Sequence, residues 1–84
     1  MTLFFLENGI GKARYAIYSS KRLGGAVSRN RIKRMFREIL NYLRLRLRGY
    51  DFIIIPREGV KEMRRQEVDP LVEVQLLDVG VITK

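Results

Sequence analysis

The chain of 84 residues is 46% hydrophobic and 31% charged, which fits one small ordered domain spanning residues 1–84 and leaves no room for a second. It contains neither cysteine nor histidine, which excludes disulfides, thiolate or imidazole metal sites, cysteine nucleophiles and histidine general bases. Its net charge of +8 favours an anionic partner.

The positive charge is concentrated in one part of the chain. From Lys12 to Arg48, twelve lysines and arginines stand against the single acid Glu38, whereas five stand against seven acids from Asp51 to Lys84. A one-sided positive field attracts a polyanion and gains free energy by releasing the polyanion's condensed counterions. This distribution indicates nucleic-acid binding.

The first predicted element is a strand from Thr2 to Glu7, which enters a tight turn at Asn8-Gly9. The apolar run is short and no basic segment precedes it, unlike a signal peptide or a membrane span. We therefore expect a soluble, cytoplasmic protein without a membrane partner. The returning strand is predicted from Arg14 to Ser20.

Four aromatic residues lie on these two neighbouring strands: Phe4, Phe5, Tyr15 and Tyr18. An aromatic ring on an open sheet face can stack on an unpaired base. Aromatic residues of strands more often belong to the core, so for each of the four the structural interpretation is the stronger one.

The clearest periodicity in the chain predicts a helix from Ser28 to about Leu45, after a basic connection at Lys21 to Gly25. Ser28 or Asn30 is the predicted N-cap, and Gly49 supplies a stop after the helix. The apolar residues fall inside an arc of roughly 140° on a helical wheel. They are Ile32, Met35, Phe36, Ile39, Leu40 and Leu43.

The opposite side of this helix carries Asn30, Lys33, Arg34, Arg37 and Arg44. Charged helix faces are usually solvated and interleave acids with bases at i,i+4 spacing. This helix has one acid, so the repulsion between its cations remains uncompensated unless something anionic binds. The helix is predicted to present its apolar stripe to a sheet and its basic stripe to a nucleic acid.

The run from Asp51 to Ile55, closed by Pro56, predicts a strand covered on both faces in the middle of the sheet. Since a strand, a helix and another strand follow in sequence, we expect a parallel pair joined by a crossover. The secondary structure of residues 59–84 is ambiguous. Asp69-Pro70 predicts the start of a helix that runs to about Val79, although Val72, Val74 and Leu76 alternate as in a strand.

Seven carboxylates follow Arg48 in the sequence, and they are scattered. A nuclease site needs several acids converging on a divalent metal, which this spacing does not indicate. We expect these acids to pair with the nearby bases or to be solvated. The bases concerned are Arg57, Lys61, Arg64 and Arg65.

The stretch from Arg14 to Glu38 resembles the protein subunit of bacterial ribonuclease P. That family has a strand with Ser-Lys-Lys followed by Gly-x-Ala-Val-x-Arg-Asn-Arg-x-Lys-Arg-x-x-Arg-Glu, and the match runs here without a gap. The segment Gly-Tyr-Asp-Phe-Ile-Ile-Ile-Pro-Arg, at residues 49–57, is similar to the family's following strand.

The resemblance implies an α+β fold, a small two-layer sandwich in which a short mixed sheet packs against a central basic amphipathic helix. It also implies a left-handed β-α-β crossover and a C-terminal helix. The implied function is that of a noncatalytic partner of an RNA enzyme that removes the 5′ leader of precursor tRNA. The chemistry and the Mg²⁺ ions belong to the catalytic RNA, and the protein itself binds no cofactor.

In this family the Arg-Asn-Arg helix contacts the catalytic RNA. The resemblance carries this role to Arg29, Asn30, Arg31, Lys33, Arg34 and Arg37, and we add the preceding bases Lys21 and Arg22. Family members normally begin with a basic arm and an aromatic helix that forms one wall of the leader cleft, whereas this sequence starts at the strand. The expected leader contacts are Phe5 and Tyr18, and a sheet left uncovered would favour self-association.

Two other functions compete with this one. A general structured-RNA-binding or ribosome-associated module would bind unrelated folded RNAs with comparable affinity. An interaction module whose basic helix addresses acidic proteins or anionic membranes would bind anionic vesicles instead of RNA. A metal-dependent nuclease acting alone is the least favoured, because the chain has no clustered acids.

Overall fold

The computed structural model describes residues 1–84 as a three-stranded sheet and two α-helices. The strands are β1 (Thr2–Glu7), β2 (Arg14–Ile17) and β3 (Tyr50–Ile55), and the helices are α1 (Ala26–Tyr42) and α2 (Arg65–Asp78). Short 3₁₀ helices occur at Lys21–Leu23, Arg44–Arg46 and Glu58–Glu62. The predicted α+β class, with a mixed sheet, a central helix and a C-terminal helix, is confirmed.

The strand order of the sheet is β1-β3-β2. β1 runs antiparallel to β3, with Phe5 opposite Phe52, and β2 runs parallel to β3, with Ile17 opposite Ile54. This confirms the predicted parallel pair and the central position of β3. The predicted hairpin of the first two strands is wrong, because the more apolar β3 lies between them and pairs along both of its edges.

The loop between β1 and β2 therefore crosses the end of β3. Asn8 shapes this loop: its Oδ1 accepts a hydrogen bond from the Ile10 N–H, and its Nδ2 donates to the Lys12 carbonyl. A Cβ at Gly49 would lie 3.0 Å from the backbone of Gly11, so this close crossing favours glycine at position 49. The predicted role of Gly49 as a helix stop is wrong, since α1 already ends at Tyr42.

The core lies between one face of the sheet and the two helices. Phe52 and Ile54 of β3 are buried on that face. All six residues of the predicted apolar stripe of α1 are buried too, from Ile32 to Leu43, which confirms the stripe. Each such side chain contributes roughly 1.5–3 kcal/mol on burial, so this contact dominates the fold. Val68, Val72 and Leu76 of α2 complete the core.

The other face of the sheet remains exposed. Phe4 is 59% exposed, Leu6 72% and Ile53 44%, because both helices pack on the side of Phe52 and Ile54. The prediction that β3 is covered on both faces is therefore wrong. We call this surface the open face; it consists of Phe4, Leu6, Ala16, Ile53 and Tyr18, which alternation places opposite the buried Ile17.

Three element boundaries differ from the prediction. β2 ends at Ile17 instead of Ser20. The N-cap of α1 is Gly25 instead of Ser28 or Asn30. α2 begins at Arg65, five residues before Pro70, because Glu67 caps the helix by accepting a hydrogen bond from the Arg64 N–H.

The pH dependence of stability tests the ion pair that joins β2 to β3. Arg14 donates Nε to Asp51 Oδ1 (2.8 Å) and Nη2 to Oδ2 (2.7 Å), and Asn8 donates a third bond. The Arg14 hydrogen bonds, then the Asn8 bond, hold the pKa of Asp51 below its usual range. This contribution to stability is complete above the ordinary aspartate pKa of about 4 and is lost as pH falls through the lower, folded value.

We expect Asp51→Asn to lower the melting temperature at pH 7 and the difference from the parent chain to shrink as pH falls below about 4. Asp78→Asn is the matched control, since Asp78 is exposed and forms no ion pair. Thermal unfolding between pH 7 and pH 2 measures both differences. A difference for Asp51→Asn that stays constant over this range would contradict the role of the ion pair.

Candidate nucleic-acid interface

The N-terminal end of α1 is fixed by the connection before it. Leu23 is fully buried, and Gly24 turns the chain with a φ of 99°, a conformation that favours glycine. The Ser28 hydroxyl then donates a hydrogen bond of 2.7 Å back to the Leu23 carbonyl. The 3₁₀ helix that carries Lys21 and Arg22 is therefore held against the first turn of α1.

The predicted RNA contacts of α1 lie in rows along the helix. Residues four apart share a face, so Arg29, Lys33 and Arg37 form one row, and Asn30 and Arg34 form the next. Arg29 and Lys33 are half-buried at the border of the apolar stripe, whereas the other predicted contacts are exposed. Burial of the stripe thus sets the rotation of the helix and turns these side chains away from the core.

These cations have no anionic partner within the chain. The chain contains three ion pairs, Arg14–Asp51, Arg46–Glu73 and Arg65–Glu38, and none includes a predicted RNA contact. Glu38, the one acid of α1, is 3.2 Å from Arg65 of α2. The like charges at i,i+3 and i,i+4 along the exposed rows are therefore uncompensated, an arrangement that a polyanion would stabilise.

A second segment adds positive charge that the sequence pattern did not predict. Arg31 donates a hydrogen bond of 3.3 Å to the Lys61 carbonyl, which holds the Glu58–Glu62 3₁₀ helix beside α1. Lys61 is exposed and forms no ion pair. None of the four bases expected to pair with the acids after Arg48 forms such a pair, and Arg65 pairs instead with Glu38 of α1. No sequence signal shows that this segment folds back onto α1.

We call the combined area the basic surface. It runs along α1 and extends onto the 3₁₀ helices Lys21–Leu23 and Glu58–Glu62, which contact α1 and each other. Its guanidinium groups carry planar sets of donors that match phosphate oxygens. It consists of Lys21, Arg22, Arg29, Asn30, Arg31, Lys33, Arg34, Arg37 and Lys61.

The two predicted leader contacts do not share a face of the sheet. Phe5 is opposite Phe52 on the helix side, where its ring lies 6.3 Å from that of Tyr50. Tyr15 also belongs to that side and stacks on Phe52 at 5.5 Å. Tyr18 lies on the open face, and the aromatic residue of β1 on that face is Phe4 instead of Phe5. Phe4 and Tyr18 are each 59% exposed.

A shallow groove of about 410 Å³ lies over the three strands. The open-face residues Phe4, Leu6, Ala16 and Ile53 line it, together with Phe5, Tyr15 and Phe52. The Arg14–Asp51 ion pair forms one end of the groove. An apolar floor with exposed rings and a charged end can accept unpaired bases, which present flat apolar faces and polar edges. The groove is thus a candidate site for single-stranded nucleic acid.

Two further structural findings concern metals and membranes. No three carboxylates in the chain come together as a group that could hold a metal ion. Neither α1 nor α2 combines the length and the apolar character that a membrane-crossing helix requires.

Comparison with known proteins identifies relatives of the whole domain. A family model described as Ribonuclease P matches residues 1–78. The curated Ribonuclease P protein component of Streptococcus agalactiae is 40% identical over 67 residues, which is 80% of this chain and 62% of that protein. The chain thus spans less than two thirds of the length of this relative.

Two solved structures share the fold. The structure of Staphylococcus aureus RNase P protein matches with a TM-score of 0.86 and 32% sequence identity, covering 96% of this chain and 75% of that chain. RNase P protein from Thermotoga maritima matches with a TM-score of 0.77 and 28% identity, covering 86% and 71%. The likeness therefore extends over the sheet and both helices.

A pair of glycine substitutions tests how the basic helix is anchored. Gly24→Ala would place an alanine at positive φ with its Cβ 3.2 Å from that of Ser28, and we expect it to lower the free energy of unfolding by about 1–2 kcal/mol. Gly25→Ala is the control, since Gly25 has a φ of −76° and an added Cβ meets nothing within 4 Å. It should cost only about 0.5 kcal/mol. Equal effects in urea unfolding would contradict this anchoring.

Proposed function

Because this chain belongs to the ribonuclease P protein family, we propose that it is the RNA-binding subunit of a ribonuclease P that removes the 5′ leader of precursor tRNA. The observation that carries this proposal is the row of cations on α1 that lacks any carboxylate partner. The partner we propose for this surface is the catalytic RNA. Precursor tRNA is the proposed substrate of the complex, and the cytoplasm is its expected location.

We assign the chemical step to the catalytic RNA and its bound Mg²⁺, as the family resemblance implies. The contribution of the protein is electrostatic. Two phosphate-rich RNAs repel each other when they come together, and a protein that supplies unpaired cations reduces that repulsion. The protein should therefore matter most at low Mg²⁺ concentration, where fewer other cations screen the phosphates.

The basic surface and the open face have different roles in this proposal. The basic surface, with Arg34 and Arg37 on its exposed rows, binds the catalytic RNA. The open face, with Phe4 and Tyr18, contacts the unpaired leader strand. In the absence of RNA, the same apolar face is where we place self-association of the protein.

The first test of the proposal combines binding and cleavage. The chain should bind the catalytic RNA in moderate salt and increase its cleavage of precursor tRNA at low Mg²⁺. We expect Arg34→Gln and Arg37→Gln each to weaken binding about tenfold, as for a lost charge-assisted hydrogen bond. Each should also reduce the slope of log K against log salt by about one. Titrations at several salt concentrations measure both quantities.

The control for this test is Lys84→Gln, which removes the same charge from an exposed position outside the basic surface. It should leave the affinity within about twofold and the salt slope unchanged. Two results would contradict the proposal: no gain in cleavage rate at saturating protein, or equal affinity for unrelated folded RNAs of the same length.

The leader contact has a separate test. Phe4→Ala and Tyr18→Ala should weaken binding of precursor tRNA to the holoenzyme by about 1–3 kcal/mol for each lost stacking contact, with mature tRNA unaffected. Tyr42→Ala is the control, because Tyr42 is 73% exposed at the end of α1, away from the open face. Equal losses for precursor and mature tRNA would show that these rings do not read the leader.

A further inference from the structure

The outer side of α2 carries apolar side chains that point to solvent. Leu71 is 59% exposed and Val74 is 56% exposed. Glu67 and Asp78 are exposed as well, and they lie on the same face of the helix, one turn before Leu71 and one turn after Val74. We call these four residues the α2 ridge, which has an apolar centre and a carboxylate at each end.

The α2 ridge is held in place by contacts on the other faces of the helix. Val68, Val72 and Leu76 are buried in the core, and Glu73 forms an ion pair of 2.7 Å with Arg46. Because these contacts fix α2 before any ligand arrives, binding at the ridge does not have to order the helix.

The charge of α2 is opposite to that of α1. From Arg65 to Asp78 the helix has four acids and one base, and the base and one of the acids are already paired with other elements. Neither acid of the ridge forms an ion pair. Carboxylates repel phosphate groups, so the ridge is unsuited to RNA and to anionic membranes, although the chain as a whole has a net charge of +8.

The position of Asp78 gives a second reason to expect a cationic partner. Asp78 is the last residue of α2, where the free carbonyl groups and the helix dipole already create negative potential. No lysine or arginine lies in this last turn to offset it. A cation supplied from outside would therefore be attracted both by the Asp78 carboxylate and by the end of the helix.

A second copy of this chain does not fit the ridge through a symmetric contact. Antiparallel pairing of two α2 helices about the centre of the ridge would place Glu67 opposite Asp78 of the second copy. Parallel pairing would place each acid opposite itself. Both arrangements bring like charges together, whereas a partner with a cation at each end replaces this repulsion with attraction.

We propose that the α2 ridge docks a basic amphipathic helix of another protein, in which two apolar side chains lie between two lysines or arginines. The carboxylates of the ridge are eleven residues apart in the sequence, which corresponds to about 16 Å along a helix. The cations of the partner need the same separation. Because the ridge lies outside the basic surface and the open face, this contact leaves both RNA-binding areas free.

The first arm of the test uses the full chain and a fluorescent helical peptide of about 20 residues with the pattern Lys-x-x-x-Leu-x-x-Leu-x-x-x-Lys. The peptide should bind the parent chain, and Leu71→Gln and Val74→Gln should each weaken binding about tenfold. Both residues are exposed and glutamine is a good helix former, so α2 should remain folded.

The control for this arm is Val27→Gln, because Val27 is 86% exposed on the first turn of α1. It should leave the affinity for the peptide within about twofold. Circular dichroism confirms that each variant is folded.

The second arm reverses one charge of the ridge. Asp78→Lys should weaken binding of the peptide about fivefold, and a lysine-to-glutamate change at the end of the peptide that faces residue 78 should restore it. Glu62→Lys is the matched control, since it makes the same change of charge at an exposed residue of the Glu58–Glu62 3₁₀ helix. In moderate salt it should bind both peptides as the parent chain does.

Four results would overturn the proposal. The peptide does not bind the parent chain at a concentration of about 1 mM, or the reversed peptide does not restore binding to Asp78→Lys. Leu71→Gln dissociates an oligomer of the chain in sedimentation, which would assign the ridge to a second copy. Leu71→Gln weakens binding of the catalytic RNA, which would assign the ridge to RNA. None of these results removes the gain in cleavage on which the proposed function depends.

Discussion

Burial of the apolar stripe of α1 against one face of the sheet is the contact on which the rest of the structure depends. The stripe packs on the face that contains Phe52 and Ile54, and Ile32, Ile39 and Leu40 of the helix are fully buried there. This contact fixes the rotation of α1 about its own axis. The cations between the apolar positions are turned outward as a consequence, so one hydrophobic contact determines both the fold and the orientation of the basic surface.

The distribution of acids is the second constraint. Three carboxylates hold structurally important arginines: Asp51 joins β2 to β3, Glu73 joins α2 to the Arg44–Arg46 turn, and Glu38 joins the two helices. Arg46 also donates to the carbonyl of Thr83, so it ties down the C-terminal segment and is not available to a ligand. The remaining cations of α1 and of the neighbouring 3₁₀ helices keep their charge for an external partner.

The sequence predicted those elements that depend on a strong local pattern. The period of α1 identified the five core residues of the helix and its buried C-cap Leu43, and the apolar run of β3 identified the central strand. Properties that depend on distant partners were not predictable. Asn8-Gly9 indicates a turn after β1, but it does not indicate which strand pairs with β1 in the sheet. An apolar run indicates a strand, but it does not indicate whether one or both faces of that strand are covered. The face of the sheet on which Phe5 lies depends on the strand register, which pairing with Phe52 determines.

Some residues of the candidate site were likewise predictable from a local pattern, and others were not. The α1 contacts followed from helical spacing and from the family resemblance, whereas the contribution of Lys61 depends on how the segment after β3 folds back. The start of α2 at Arg65 has a local origin instead, since Glu67, three residues further on, accepts a hydrogen bond from the Arg64 N–H. Tertiary contacts between segments that are distant in sequence therefore account for most of what the pattern alone did not predict.

The central claim is that the exposed side of α1 lies on the catalytic RNA, and the absence of cysteine from the chain allows a direct test. A hydroxyl-radical source is tethered to Val27→Cys on α1 or to Val74→Cys on the outer side of α2, positions that are 86% and 56% exposed. The radicals should cleave the bound catalytic RNA at discrete positions from residue 27 and should not cleave it from residue 74. Equal cleavage from both positions, or cleavage from position 74 alone, would contradict it.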